Sequence, residues 1–216
     1  MDKTFSQLRD VLYSAVVADA CDQFGLRRQS LDCALPIRTT SAVLIGRCRT
    51  SLWEDLDHED PSPYELELKL VDSCQPDDVV INAAGGSQRS GIWGELLSTA
   101  ASNRGCTGVI VDGAVRDINK MRQMQFPVFA RSACVYDSCH RQRVTAFDQP
   151  VVIGGVTIDS GDIVIADEDG VVIVPQSRAD EILTAAWEKV FAENITRDAI
   201  KSGMGAVAAY EKYGIL

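Results

Sequence analysis

From residue 79 to residue 130 the sequence alternates short, uninterrupted apolar runs with stretches of helical character, and this rhythm commits the chain to an α/β fold. Residues 79–81, 109–111 and 127–130 read as buried strands, and residues 92–104 and 115–125 as the helices between them, the first closed by Gly105. Upstream, Thr4 and Gln7 form a capping box for a helix that carries Leu8, Val11, Leu12 and Ala15 at helical spacing until Gly25. Residues 41–52 are rich in β-formers and read as a strand broken at Gly46, and the acidic stretch 54–60 reads as solvated surface. Ser62, Pro63 and Glu65 then supply a cap, a first helical position and a first-turn acid for a helix ending near Ser73. Past Val151, apolar runs separated by Ser160-Gly161 and Asp169-Gly170 suggest a β-meander, and helices return over 177–201 and, beyond Gly203, to about Tyr213. No linker, repeat or low-complexity segment divides the 216 residues, so residues 1–216 read as one domain.

Charge narrows the partners. Lys plus Arg number 21 against 31 Asp plus Glu, a formal net charge of −10, which argues against nucleic acid because phosphate binding needs a surplus of cations. Charge-free stretches such as 79–88 and 149–158 reach only ten residues, short of the roughly 18 that cross a bilayer, so no membrane partner is expected. The N-terminal residues are charged on both sides of their apolar positions and lack a secretory core, which points to the cytoplasm. The seven cysteines form no C-x-x-C pair and fit a reducing compartment. With two histidines and scattered thiols a zinc site is not available, so any metal would be a hard cation on oxygen ligands.

Two segments carry the chemistry. Gly85, Gly86 and Gly91 precede a helix; they serve either a tight strand-to-helix turn or the approach of an anion to free helix N–H groups. Neither the P-loop nor the dinucleotide fingerprint is present. Downstream, Asp112-Gly113 reads as the turn after a buried strand, with Arg116 and Asp117 in the first turn of the next helix, at the strand end where α/β sheets bind ligands. Arg116 and Asp117 are either a surface arginine beside a dipole-serving aspartate, or a fork for a carboxylate next to a ligand for a divalent cation.

The segments W-G-E-L-L from Trp93, V-D-G-A-V-R-D from Val111, F-P-V-F-A from Phe126 and G-V-V-I-V-P from Gly170 resemble the 4-hydroxy-4-methyl-2-oxoglutarate / 4-carboxy-4-hydroxy-2-oxoadipate aldolase family. The RraA-like superfamily that holds it also contains the regulator of ribonuclease E activity. The most specific part is Glu95 followed, after twenty residues, by Arg116 and Asp117; the likeness is weakest over 51–61 and 137–149.

The resemblance implies a swivelling β/β/α domain, assembled as a homotrimer or a dimer of trimers, that binds a small 2-oxo acid with Mg²⁺ or Mn²⁺. By position, Arg116 would take the pyruvate carboxylate together with the backbone of Gly94, Leu96 and Leu97, and Asp117 would be the metal ligand. Glu95, where many relatives carry Asp, would act through the metal's water, and Glu193 would reach that water across a subunit interface. The implied reaction is lyase chemistry: cleavage of a 4-hydroxy-2-oxo acid to pyruvate, with oxaloacetate decarboxylation through the same enolate. Arg89 would either read a distal carboxylate or sit at the rim, and Lys120 would face solvent. The competing reading is a regulatory module that contacts a partner protein, and a third is a homologue serving another oxo-acid reaction. The joint presence of Glu95, Arg116 and Asp117 favours the enzyme.

Overall fold

The computed structural model describes residues 3–40 and 42–215. The chain opens on two helices, α1 (Phe5–Val11) and α2 (Ser14–Gln23), where the sequence predicted one. Thr4 and Gln7 form the expected capping box. Leu12 and Tyr13 are extended and interrupt the helix. The cause is long-range: the carboxylate of Asp167 accepts hydrogen bonds from both the backbone N–H and the hydroxyl of Ser14, anchoring the start of α2.

Next come β1 (Leu44–Asp55), α3 (Glu65–Ser73), β2 (Asp78–Ala83), α4 (Glu95–Asn103), β3 (Gly108–Val115), α5 (Ile118–Gln123) and β4 (Val128–Ala133). The four strands pair in parallel in the order β4-β3-β2-β1. Ser41, where the sequence reading began its first strand, lies outside the described residues. β1 is not broken at Gly46: the strand passes straight through, and the position is glycine because a Cβ would run into the backbone oxygen of Asp77. The acidic stretch 54–60 is less solvated than expected, since β1 takes its first two residues and Leu56 and Asp60 are buried. Asp60 accepts the Ser62 N–H at 2.9 Å, and α3 starts only at Glu65, after Tyr64 has passed through a left-handed conformation. Ser62 therefore caps nothing.

Beyond β4 lies β5 (Gln142–Phe147), a strand the sequence did not announce, antiparallel to the second half of β1. The predicted meander is two hairpins in different sheets. Among the described residues β6 (Val151–Ile153) and β7 (Val156–Ile158) pair only with each other, whereas β8 (Ile163–Ala166) and β9 (Val171–Val174) join the main sheet, β8 antiparallel to the first half of β1. α6 (Ala179–Lys201) and α7 (Ala206–Tyr213) follow, parted at Gly203 as its left-handed conformation requires.

Strand alternation sorts the core into layers. Val80, Val109, Val111, Val128 and Ala130 pack with Leu70 of α3, Ala101 of α4 and Met121 of α5. On the same face at the other end of the sheet, Ile45, Ile163, Ile165, Val172 and Val174 pack with α1, α2 and α6. The opposite face, with Val79, Ile81, Ile110 and Phe129, is covered by Val151, Ile153, Val156 and Ile158 of the small hairpin. Helices, main sheet and hairpin thus form three layers, and the carboxyl ends of β2, β3 and β4 share one edge. Among the described residues no helix is long and apolar enough to cross a membrane.

Candidate active site

β3 does not turn at Asp112-Gly113, as the sequence suggested; it stays buried through Val115. Asp112 is needed inside, where it is 3% exposed and paired with Arg131. The turn falls instead on Arg116 and Asp117. Asp117 adopts φ 58°, ψ 28° and α5 begins after it, so the position favours a residue that tolerates the left-handed region, and Asp does.

The glycine-containing loop after β2 lies along this turn. Ile92 N–H donates to the Ala114 carbonyl at 3.0 Å and Arg116 N–H to the Trp93 carbonyl at 2.9 Å, stitching residues 91–93 to the end of β3. Trp93 is buried and donates its indole N–H to Ser98 Oγ at 2.8 Å, locking the loop to α4. That helix starts at Glu95, later than predicted. Two glycines permit the approach: a Cβ at Gly91 would stand 2.5 Å from the Cys134 carbonyl and 2.8 Å from Arg116 Cβ, and one at Gly94 2.6 Å from Asp117 Oδ2. The glycines therefore serve a tight turn, the first of the two readings, and that turn sets the start of α4 beside Arg116 with the Glu95 N–H directed at Asp117 Oδ2.

A cavity of about 310 Å³ opens there, lined by Gly94, Leu96, Leu97, Arg116 and Asp117 together with Tyr64, Glu67 and Asp137. Arg116 Nη1 meets Asp137 Oδ2 at 2.7 Å, and its Nε lies 3.7 Å from Asp117 Oδ2. Burial raises the Asp137 carboxyl, but hydrogen bonds from Tyr64 and the Cys139 N–H and the Arg116 charge outweigh it, leaving Asp137 below the usual carboxylate range. Tyr64 is pushed upward by burial and by its bond to Asp137.

The other expected residues lie elsewhere. Glu95 does not line the cavity; its carboxylate accepts from Thr99 Oγ1 at 3.3 Å, and its backbone N–H donates to Asp117 Oδ2 at 3.3 Å. Glu193 sits on α6, accepting from Tyr13 and facing Arg197 at 3.7 Å in a separate groove. Arg89 and Lys120 are exposed and outside the cavity lining. Tyr64, Glu67 and Asp137 were missed: the first two lie at the start of α3, and Asp137 lies where the family likeness is weakest. The cavity carboxylates suit a small hard cation better than a caged one. Asp117 is 43% exposed and, among the described residues, its Oδ1 has no partner, Asp137 is committed to Arg116 and Tyr64, and a cation such as Mg²⁺ is satisfied by one or two protein carboxylates plus water and substrate oxygens. Among the described residues no group of three or more His, Cys, Asp or Glu gathers to enclose one.

Glu67 is only 7% exposed. Burial first, then the Asp137 charge, push its carboxyl up from 4.5 to about 8, with Arg116 pulling the other way. The folded chain therefore keeps the Glu67 proton at pH values where the unfolded chain has lost it. Stability from this group is complete below about pH 4.5 and drains away as pH climbs toward 8. Glu67→Gln is expected to flatten that decline, so that urea midpoints of variant and wild type diverge upward through this window. Parallel pH profiles would show that Glu67 is ionised in the folded protein.

Residues 14–173 match the RraA-like family model, described as Aldolase/RraA. The chain belongs to the RraA-like family. This RraA-like chain is 31% identical over 136 residues to the 4-hydroxy-4-methyl-2-oxoglutarate aldolase of Thermus thermophilus, covering 62% of this chain and 77% of that protein. It is 31% identical over 202 residues to protein DlpA of Legionella pneumophila, covering 93% of this chain but only 32% of DlpA, so it spans about a third of that protein's length. Among solved structures, RraAS2 of Streptomyces coelicolor, an unusual member of the RNase ES inhibitor RraA family, superposes with a TM-score of 0.76 at 27% identity, covering 91% of this chain and 98% of RraAS2. The mixed α/β fold is thus the RraA-like one, and the chain's relatives include both a protein named an aldolase and one named an inhibitor.

Proposed function

We propose that this RraA-like chain is a divalent-metal-dependent lyase of the cytoplasm. It cleaves a 4-hydroxy-2-oxo di- or tricarboxylic acid to pyruvate and a second oxo acid, and it decarboxylates oxaloacetate. The observation that supports this most directly is the pairing of a guanidinium and a carboxylate on consecutive residues, Arg116 and Asp117, both lining the cavity that the first turn of α4 borders through Leu96 and Leu97.

Arg116 binds the substrate carboxylate, aided by the first-turn N–H groups at Leu96 and Leu97. Asp137 holds the guanidinium from the far side at 2.7 Å, so the fork meets its ligand in a fixed orientation. Asp117 is the residue that would hold Mg²⁺ or Mn²⁺, and a cation there supplies a Lewis acid for the negative charge that develops on the 2-oxo oxygen. Trp93 and Ile92, both buried, form the apolar back of the cavity and keep bulk water from that charge. Glu95 orients Asp117 through its main-chain N–H. Glu193, placed elsewhere in the single chain, completes the site only from a second copy, as in a homotrimer or a dimer of trimers.

The test is pyruvate release, followed by a coupled lactate dehydrogenase assay, from oxaloacetate and from 4-hydroxy-4-methyl-2-oxoglutarate. Both are expected to yield pyruvate with Mg²⁺ or Mn²⁺, to stop on chelation and to resume on adding the cation back. No release with any divalent cation would transfer the reading to a regulatory protein-binding module, the other role represented among the structural relatives.

A further inference from the structure

We infer that Glu67 is the acid that delivers a proton to C3 of the pyruvate enolate, an assignment that rests on the lyase reading above. Glu67 lines the same cavity as Arg116 and Asp117, on the wall formed by α3. It is buried, yet among the described residues its carboxyl makes no hydrogen bond and no ion pair. A buried carboxyl without a partner persists by staying neutral, and a neutral carboxyl facing a reaction cavity is a proton donor. Its shift to about 8 brings it near neutral operating pH, where a general acid works best.

The charged and titratable groups around it are few. Asp137, from the loop after β4, disfavours ionisation, and Arg116, after β3, favours it. Tyr64 and Asp117 line the same cavity. Of the elements packed on α3, β5 directs Arg143 into a different pocket, and α4 carries Glu95 with its carboxylate turned to Thr99.

The step balances. Breaking the C3–C4 bond leaves its electron pair on the pyruvate fragment as the enolate, while solvent takes the proton of the C4 hydroxyl as C4 becomes a carbonyl. The Glu67 O–H proton then bonds to C3 and the C2–O bond returns to a ketone. The resulting Glu67 carboxylate regains a proton from the solvent that received the hydroxyl proton, so nothing is gained or lost overall.

The reverse of that transfer can be observed without any cleavage. Purified wild-type protein with Mg²⁺ and pyruvate in D₂O is expected to exchange the pyruvate methyl protons, followed by proton NMR, at a rate that rises as pH passes about 8, because exchange begins with the Glu67 carboxylate. Glu67→Gln should exchange at least ~100-fold more slowly. Its consumption of oxaloacetate should fall much less, since bond cleavage precedes the protonation and released enolpyruvate ketonises in water. Glu67→Asp, which keeps the acid but withdraws it by one methylene, should recover part of the exchange, and it serves as the comparison where the Gln variant does not fold. Wild-type exchange in Glu67→Gln, or pyruvate release by the wild type with no methyl exchange or no rise near pH 8, would overturn the role of Glu67 and leave the lyase reading standing. A wild type that neither consumes oxaloacetate nor exchanges pyruvate would overturn both.

Discussion

Asp117→Asn is expected to lower pyruvate release by about a thousandfold or more while leaving the fold in place, because a Lewis-acid contribution of several kcal/mol depends on the carboxylate charge. The choice of asparagine matters. Position 117 sits at φ 58°, ψ 28°, a region that Asn enters nearly as readily as Asp. The side-chain oxygen of asparagine can also still accept the Glu95 N–H that now reaches Asp117 Oδ2 at 3.3 Å. Asp117→Ala would confuse the result by adding a left-handed strain of about 1–2 kcal/mol to the loss of charge. The measurement is pyruvate release at saturating Mn²⁺ beside a thermal melt and a Mn²⁺ titration by calorimetry. Weakened Mn²⁺ binding with an unchanged melt is the expected pattern. An Asn variant that releases pyruvate at the wild-type rate would place the chemistry away from Asp117.

Arg116 and Asp117 stand out in the sequence because they lie just beyond a buried strand segment, and a strand end followed by a helix start is a local pattern; Gly94, Leu96 and Leu97 joined them only through the family resemblance. The structure brings all five to one cavity. Tyr64, Glu67 and Asp137 complete that cavity without any such pattern. Glu67 sits on an ordinary amphipathic helix, and only the packing of α3 against β5 and α4 brings it into the cavity with Arg116. The same divide runs through the fold. The buried strands β2, β3 and β4 were legible from uninterrupted apolar runs, whereas β5 mixes buried with half-buried positions and contains Gln142, Arg143 and Thr145, so neither periodicity nor hydropathy marks it. The break between α1 and α2 has its cause at Asp167, 153 residues away. The Asp169-Gly170 turn located the hairpin β8-β9, but residues 151–158, read as one run of the meander, fold back at Gly154-Gly155 into the hairpin β6-β7, and which sheet a hairpin joins is decided by the face it buries, which is not written in the turn.

Gly94→Ala is expected to remove about 99% of pyruvate release although the variant alters no group that could hold a proton, a cation or a carboxylate. Gly94 is extended, at φ −150°, so an alanine backbone is comfortable there and the effect is purely steric. The added Cβ would stand 2.6 Å from Asp117 Oδ2 and 3.1 Å from Arg116 Cγ, both in side chains that can swing aside. Because the obstacles are mobile, the stability change should be small, within about 1 kcal/mol. The displaced carboxylate and guanidinium, however, lose their mutual placement, and a shift of about 1 Å in a positioning group is enough for a loss of roughly a hundredfold. Gly91→Ala supplies the contrast. Its Cβ meets backbone, the Cys134 carbonyl at 2.5 Å and Arg116 N at 3.0 Å, which cannot rotate away, so this variant should be destabilised by about 1–3 kcal/mol as well as inactive. Urea denaturation beside the pyruvate assay separates the two cases. An active Gly94→Ala would mean that Asp117 and Arg116 need not hold their observed positions, and the cavity between them would lose its claim to be the reaction site.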